Sequence, residues 1–235
     1  MRVPDDWFVG FHEGLAARFW QAAGEAMLER DFAIVEALLP PGSVLDVPCG
    51  DGRLSRRLAE AGHEVTGIDI APGALALAPP GLRLMQGDLR ALPDIGAFDA
   101  ALSWGNSFGY LTPADTVRSF EGLRRAVRPG GTLVLESSVV AESMLANGIN
   151  ASSEHTFGGI TMRSTRTYRP HESRLEVESV FTENGTTEHA AAAYFVHTTG
   201  EVVRMLNAAG FAHVELRGDA GPYELGSPRM IAVAR

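Results

Sequence analysis

Two carboxylates and a glycine turn carry the chemistry this sequence offers. The stretch VLDVPCGDGRLS, Val44 to Ser55, runs apolar to Asp46, breaks at Pro48-Cys49-Gly50-Asp51-Gly52 and restarts as a helical pattern at Arg53. Such a turn lets the backbone approach a ligand closely, because glycine has no Cβ to hold it off. Asp69 closes the next apolar run, EVTGIDI, twenty-three positions after Asp46. That is close to the roughly 20 positions expected of an acid that binds ribose hydroxyls. Turn and acid together read as a nucleoside site.

Two nucleosides compete for it, a dinucleotide and S-adenosylmethionine. A dinucleotide wants GxGxxG, whose third glycine allows close helix packing. Here Ser55 stands at that place. Asp46 and Asp51 also bring negative charge to where a pyrophosphate would lie. The same acids suit a ligand with a cationic sulfonium and an ammonium. The acid pattern selects the cation, and a dinucleotide-dependent oxidoreductase becomes the less favoured alternative.

Composition removes other classes. All twenty basic residues of the 235 are arginine, so a lysine Schiff base and a Walker-A lysine are both excluded. The net charge of −9 speaks against a nucleic acid partner, since phosphate binding needs a basic face. The one cysteine, Cys49, excludes an internal disulfide and a CxxC metal or redox motif, and no metal is expected. The first residues, MRVPDDWFVGFHEG, lack the apolar core of a secretory signal, and no apolar run reaches the roughly 20 residues of a membrane span. A cytoplasmic enzyme is expected.

The elements that position these residues follow from periodicity. Residues 6–39 read as two helical stretches, ended by Pro40-Pro41-Gly42. SVLDV, EVTGIDI, LRLMQGD, FDAALSW and TLVLES read as five strands alternating with helices, which predicts a parallel sheet covered on both faces. The grammar changes after Glu136: three long strands alternating polar and apolar residues are expected between about 155 and 197, with turns at Pro170 and Asn184-Gly185. Thr198 with Glu201 forms a capping box for a closing helix, and HVELRG and PRMIAVAR add two strands. The expected fold is α/β, a doubly wound, mostly parallel, seven-stranded Rossmann-like sheet with an antiparallel insert after strand five. The expected divisions are 1–41 (N-terminal helices over the cofactor), 42–140 (binding core), 141–197 (insert) and 198–235 (closing helix and strands).

VLDVPCGDGRLS, VTGIDIA, MQGDLRALP, FDAALSWGNSFGYL and RPGGTLVLES, in that order, resemble the class I S-adenosylmethionine-dependent methyltransferases. The resemblance implies that Asp46, Pro48 and the Gly50–Gly52 turn hold the methionine part of the cofactor. Asp69, with Ile70 beside it, takes the ribose, and Asp88 with Leu89 meets the adenine. Ser103 and Trp104 line the site after strand four, and Trp20 covers it from the N-terminal helices. Each has a plainer reading: Asp88 caps the turn at Leu89–Pro93, and Trp104 and Trp20 are packing aromatics. Pro48 replaces the first glycine of the commoner DxGxG pattern.

WGNSFGYL lacks the [DN]PPY stretch of enzymes that methylate nucleic acid bases. The insert resembles those of glycine and amino-sugar N-methyltransferases, which implies a small-molecule acceptor. Tyr110 follows the turn after strand four, where the amino-sugar enzymes have histidine, and is expected to orient the acceptor. A phenol of pKa about 10 is a poor base, so His155 and His197 are the candidates for the acceptor's proton. The expected reaction is methyl transfer to oxygen or nitrogen, with a non-catalytic S-adenosylmethionine-binding module as the alternative. The apolar positions Leu175, Val177 and Val180 suggest a homodimer through the insert.

Overall fold

The computed structural model describes residues 2–146 and 148–235. A short 3-10 turn at Trp7–Val9 leads into one long helix, α1 (Gly14–Glu36). The sequence suggested two helical stretches, but nothing between Gly14 and Glu36 breaks the helix. Its interior Gly24 is retained where the Arg53 side chain lies against it.

The alternating region follows as β1 (Ser43–Asp46), α2 (Arg53–Glu60), β2 (Glu64–Asp69), α3 (Pro72–Leu75), β3 (Arg83–Gln86), β4 (Phe98–Ser103), α4 (Pro113–Ala126) and β5 (Val127–Ser137). After the short α5 (Ala141–Met144) come four antiparallel strands: β6 (Ser152–Phe157), β7 (Ile160–Arg169), β8 (Arg174–Glu183) and β9 (Thr186–Phe195). Three were expected. β6, SSEHTF, is mostly exposed and pairs only with β7, so it carries no buried face to mark it in the sequence. α6 (Thr199–Ala208), β10 (Val214–Arg217) and β11 (Met230–Ala234) close the chain. The capping box at Thr198 and Glu201 is formed, each satisfying a backbone N–H of the other.

The main sheet runs β10-β11-β5-β4-β1-β2-β3. β1 to β5 pair in parallel and β11 runs antiparallel against β5. The chain order reverses between β1 and β4, so a crevice opens at the carboxyl ends of those two strands. One face is filled by α4 and α6 through Phe120, Leu123, Val202 and Leu206. The other is filled by α2 and the second half of α1 through Leu28, Val35, Leu54 and Leu58. The first half of α1 turns Leu15, Phe19 and Ala23 to Ile160, Met162 and Phe181 of the insert. One helix thus binds both sheets and fixes the insert over the crevice.

Candidate functional site

The crevice holds a cavity of about 430 Å³, lined by the ends of β1, β2 and β4 and roofed by the N-terminal segment. The turn after β1 builds its floor. Gly50 and Gly52 both take positive φ, +58° and +73°, which a side chain would disfavour. A Cβ on Gly50 would meet only the tip of Arg53 at 4.0 Å, so that face of the backbone is open. A Cβ on Gly52 would press on Leu82 and Leu84 at 3.0 Å; this residue starts α2 and supports the turn without lining the cavity. The Val47–Pro48 peptide is cis, and Pro48 lines the floor.

Each acid is held by its own set of donors. Asp69 Oδ2 accepts from Gly50 N at 2.7 Å and Oδ1 from Ala71 N at 2.8 Å. Each oxygen keeps a lone pair for a ligand. Asp46 is buried and accepts from Ser55 Oγ at 2.6 Å. Burial pushes its carboxyl up to about 7, against the pull of that hydrogen bond and of Arg53. Asp88 accepts from Arg90 N at 2.8 Å and pairs with the Arg90 guanidinium, so it caps its turn and also lines the cavity with Leu89. Burial raises the Cys49 thiol far above its usual range, which leaves it an inert small side chain.

Of the residues expected in the site, Trp20, Asp46, Pro48, Gly50 and Asp69 line this cavity, as do Ile70, Asp88, Leu89, Trp104 and Tyr110. Ser103 lies behind it, buried and hydrogen-bonded to Ser107 Oγ at 2.8 Å. The two histidines are elsewhere. His155 is exposed on β6. His197 is stacked on Phe108 at 6.2 Å, with its Nε2 unpartnered among the described residues. Neither lines this cavity or the one beside it. Tyr110 packs edge-on to Trp7 at 4.9 Å, and its hydroxyl donates to Gly105 O at 2.9 Å. Burial raises its phenol well above the usual value, which makes it a poor base.

The structure adds residues that carried no sequence signal. Glu136, at the end of β5, lines the cavity and accepts from Gly105 N at 2.9 Å. Burial lifts its carboxyl to about 7 against that bond and the nearby Arg229. Arg229 spans Asp31 at 2.9 Å and Asp219, lies 5.1 Å over Trp104, and keeps Nη2 unpartnered among the described residues. His12 lines the cavity near Asp69, its imidazole held below the usual value by burial. Arg53 and Asp31 join the same wall. Only contacts distant in sequence bring these side chains together.

The open Gly50 backbone and the spare lone pairs of Asp69 fit a cationic nucleoside. The backbone would lie against it, and carboxylates would meet its hydroxyls and ammonium.

Residues 44–131 match the methyltransferase-domain family. YqeM of Bacillus subtilis is 33% identical over 134 residues, covering 53% of this chain and 54% of that protein. A ubiquinone biosynthesis O-methyltransferase of Xanthomonas campestris is 30% identical over 139 residues, 52% of this chain and 57% of that one. The chain spans about half the length of these curated relatives. Among solved structures, the CcbJ methyltransferase of Streptomyces caelestis superposes with a TM-score of 0.77 at 17% identity over 99% of both chains. The sugar N-methyltransferase KedS8 of Streptoalloteichus reaches 0.66 at 22% identity, over 100% of this chain and 93% of that one. At these identities the likeness is one of fold.

Proposed function

We propose that the chain, whose residues 44–131 match the methyltransferase-domain family, transfers a methyl group from S-adenosylmethionine to a nitrogen or oxygen of a small molecule. The observation that carries this reading is the pairing of an open glycine turn with Asp69, joined by the 2.7 Å bond to Gly50 N. Bound in the first cavity, S-adenosylmethionine supplies an electrophilic methyl on a cationic sulfur.

The chain's own residues do the rest. Asp69 and Ile70 hold the ribose edge, and Asp88 and Leu89 the base. Asp46, Pro48 and Gly50 floor the methionine part, with Gly52 supporting the turn and Ser103 backing the wall that Trp104 faces. Trp20, about one-third exposed, closes the mouth. Positioning of this kind accounts for much of a displacement at carbon. Glu136 is our choice for the group that accepts the acceptor's proton, since a carboxyl near 7 suits general-base work at neutral pH. Tyr110 aligns the acceptor. His155 and His197 have no part in this reading, because neither lines the first cavity or the one beside it.

Any self-association is proposed for the outer face of the insert, near the half-buried Val180. Leu175 and Val177 line the cavity beside the first instead. Light scattering at high concentration tests this: a species twice the 25.1 kDa chain mass supports it and a monomer removes it. The function is tested by incubating the protein with methyl-labelled S-adenosylmethionine and a pool of small metabolites. Label in a small-molecule product supports the reading. Label confined to nucleic acid or protein, or none at all, contradicts it.

A further inference from the structure

A second cavity of about 310 Å³ lies between the inner face of the insert sheet and the chain that follows β5. Its walls are mainly apolar, with Met144, Ile149, Met162, Leu175, Val177 and Ala192 among them. It meets the first cavity at Phe11, Trp20, Asn106, Ser138 and Tyr194, which line both. These residues form the boundary between the two cavities, so a molecule seated in the second lies beside the first.

Arg166 is the one charged residue among those described as lining this second cavity. It sits on β7, directly across from Val177 of β8. Its Nη2 donates to Ser153 Oγ at 3.0 Å, and its Nη1 makes a long contact of 3.4 Å to Asn150 O. No carboxylate among the described residues pairs with it. The other arginines of this sheet differ: Arg163 pairs with Glu154, Arg169 with Glu176 and Arg174 with Asp5. A half-buried cation facing an apolar wall with only neutral partners has lost part of its hydration without regaining an ion pair. An incoming anion restores that interaction.

We propose that the second cavity seats the methyl acceptor, and that the acceptor is a compact apolar body bearing one carboxylate, which pairs with Arg166. The inference rests on the methyl-transfer reading above. The walls match the apolar body, and the planar guanidinium matches a carboxylate edge to edge. A single carboxylate balances the one guanidinium, whereas a dianionic phosphate would leave net negative charge in an apolar cavity. The acceptor's nitrogen or oxygen then lies at the Trp20 and Tyr194 junction, facing the first cavity.

Matched probes test this by ligand-observed NMR and calorimetry, with and without S-adenosylhomocysteine: 2-naphthoate, its neutral counterpart 2-naphthamide, and 2-naphthyl phosphate. The expected result is binding of 2-naphthoate about tenfold or more tighter than 2-naphthamide, as for a charge-assisted pair. Arg166→Gln removes the difference, Arg166→Lys keeps part of it, and neither changes S-adenosylhomocysteine affinity, which shows that the variants are folded. Equal binding of acid and amide, a preference that survives in Arg166→Gln, tightest binding of the phosphate, or no binding of any probe overturns the proposal. The two readings fail separately. Wild-type protein that does not bind S-adenosylhomocysteine strikes the methyl-transfer reading, while intact cofactor binding without carboxylate preference strikes this inference alone.

Discussion

Glu136 accepts a hydrogen bond from Gly105 N at 2.9 Å, which ties the end of β5 to the exit of β4 at the wall of the first cavity. The two residues are thirty-one positions apart, and only the pairing of β4 with β5 brings them together. The bond holds one carboxylate oxygen in place, and burial keeps the group near pH 7 in its proton exchange. A buried carboxyl at that value beside the proposed methyl-transfer site is suited to take a proton from an acceptor amine or hydroxyl.

Glu136→Gln keeps the shape and the acceptor for Gly105 N but cannot take the proton. Turnover is expected to fall about 100-fold or more, in the range of general-base losses. Affinity for S-adenosylhomocysteine should stay within about threefold, a change of well under 1 kcal/mol. The wild-type pH–rate profile should rise through about 7, and the variant should lose that limb. A variant that keeps both turnover and limb assigns the proton to another group.

Asp46 and Glu136 also make stability depend on pH. Both carboxyls lie near 7 in the folded chain, against about 4 when unfolded. The folded state thus binds more protons between those values. Their contribution is fully present below about pH 4 and is lost as pH rises through about 7. The melting temperature of the free protein is expected to fall from pH 5 to pH 8, and less steeply in Asp46→Asn and Glu136→Gln. Differential scanning fluorimetry across that range checks it; parallel curves for wild type and variants contradict the assignment.

Tyr110→Phe removes the hydroxyl that donates to Gly105 O while leaving the ring against Trp7. Turnover should fall with cofactor affinity nearly unchanged, the pattern of an interaction felt mainly in the transition state. Steady-state kinetics beside calorimetry separates the two quantities. Cofactor affinity falling in step with turnover would make Tyr110 a packing residue of the cavity wall.

The core of the fold was legible because its first two strands end in turns with their own chemistry, Asp46 to Gly52 and Asp69 to Pro72. The capping box at Thr198 was equally local and equally readable. β6 was missed because an exposed edge strand such as SSEHTF needs no apolar alternation. The two helical stretches expected over 6–39 are one continuous helix from Gly14 to Glu36. Asp46, Asp69 and Asp88 could be read from motifs at strand ends. Glu136, Arg229, Arg53, His12 and Arg166 could not, because their roles arise from contacts between segments far apart in the chain. The histidines of the insert illustrate the converse. Residue type made His155 and His197 candidates, but one faces outward on an edge strand and the other packs against Phe108.

The central claim, that the first cavity holds S-adenosylmethionine through Asp69, is tested most directly by calorimetry of wild-type and Asp69→Ala protein. Wild type is expected to bind S-adenosylmethionine and S-adenosylhomocysteine in the micromolar range, about −8 kcal/mol, with no comparable affinity for NAD or NADP. Hydrogen bonds to a charged carboxylate contribute about 1.5–3 kcal/mol each, so Asp69→Ala should weaken both ligands by tenfold or more, about 1.4 kcal/mol. Unchanged affinity in Asp69→Ala, or tighter binding of a dinucleotide by wild type, would contradict the account.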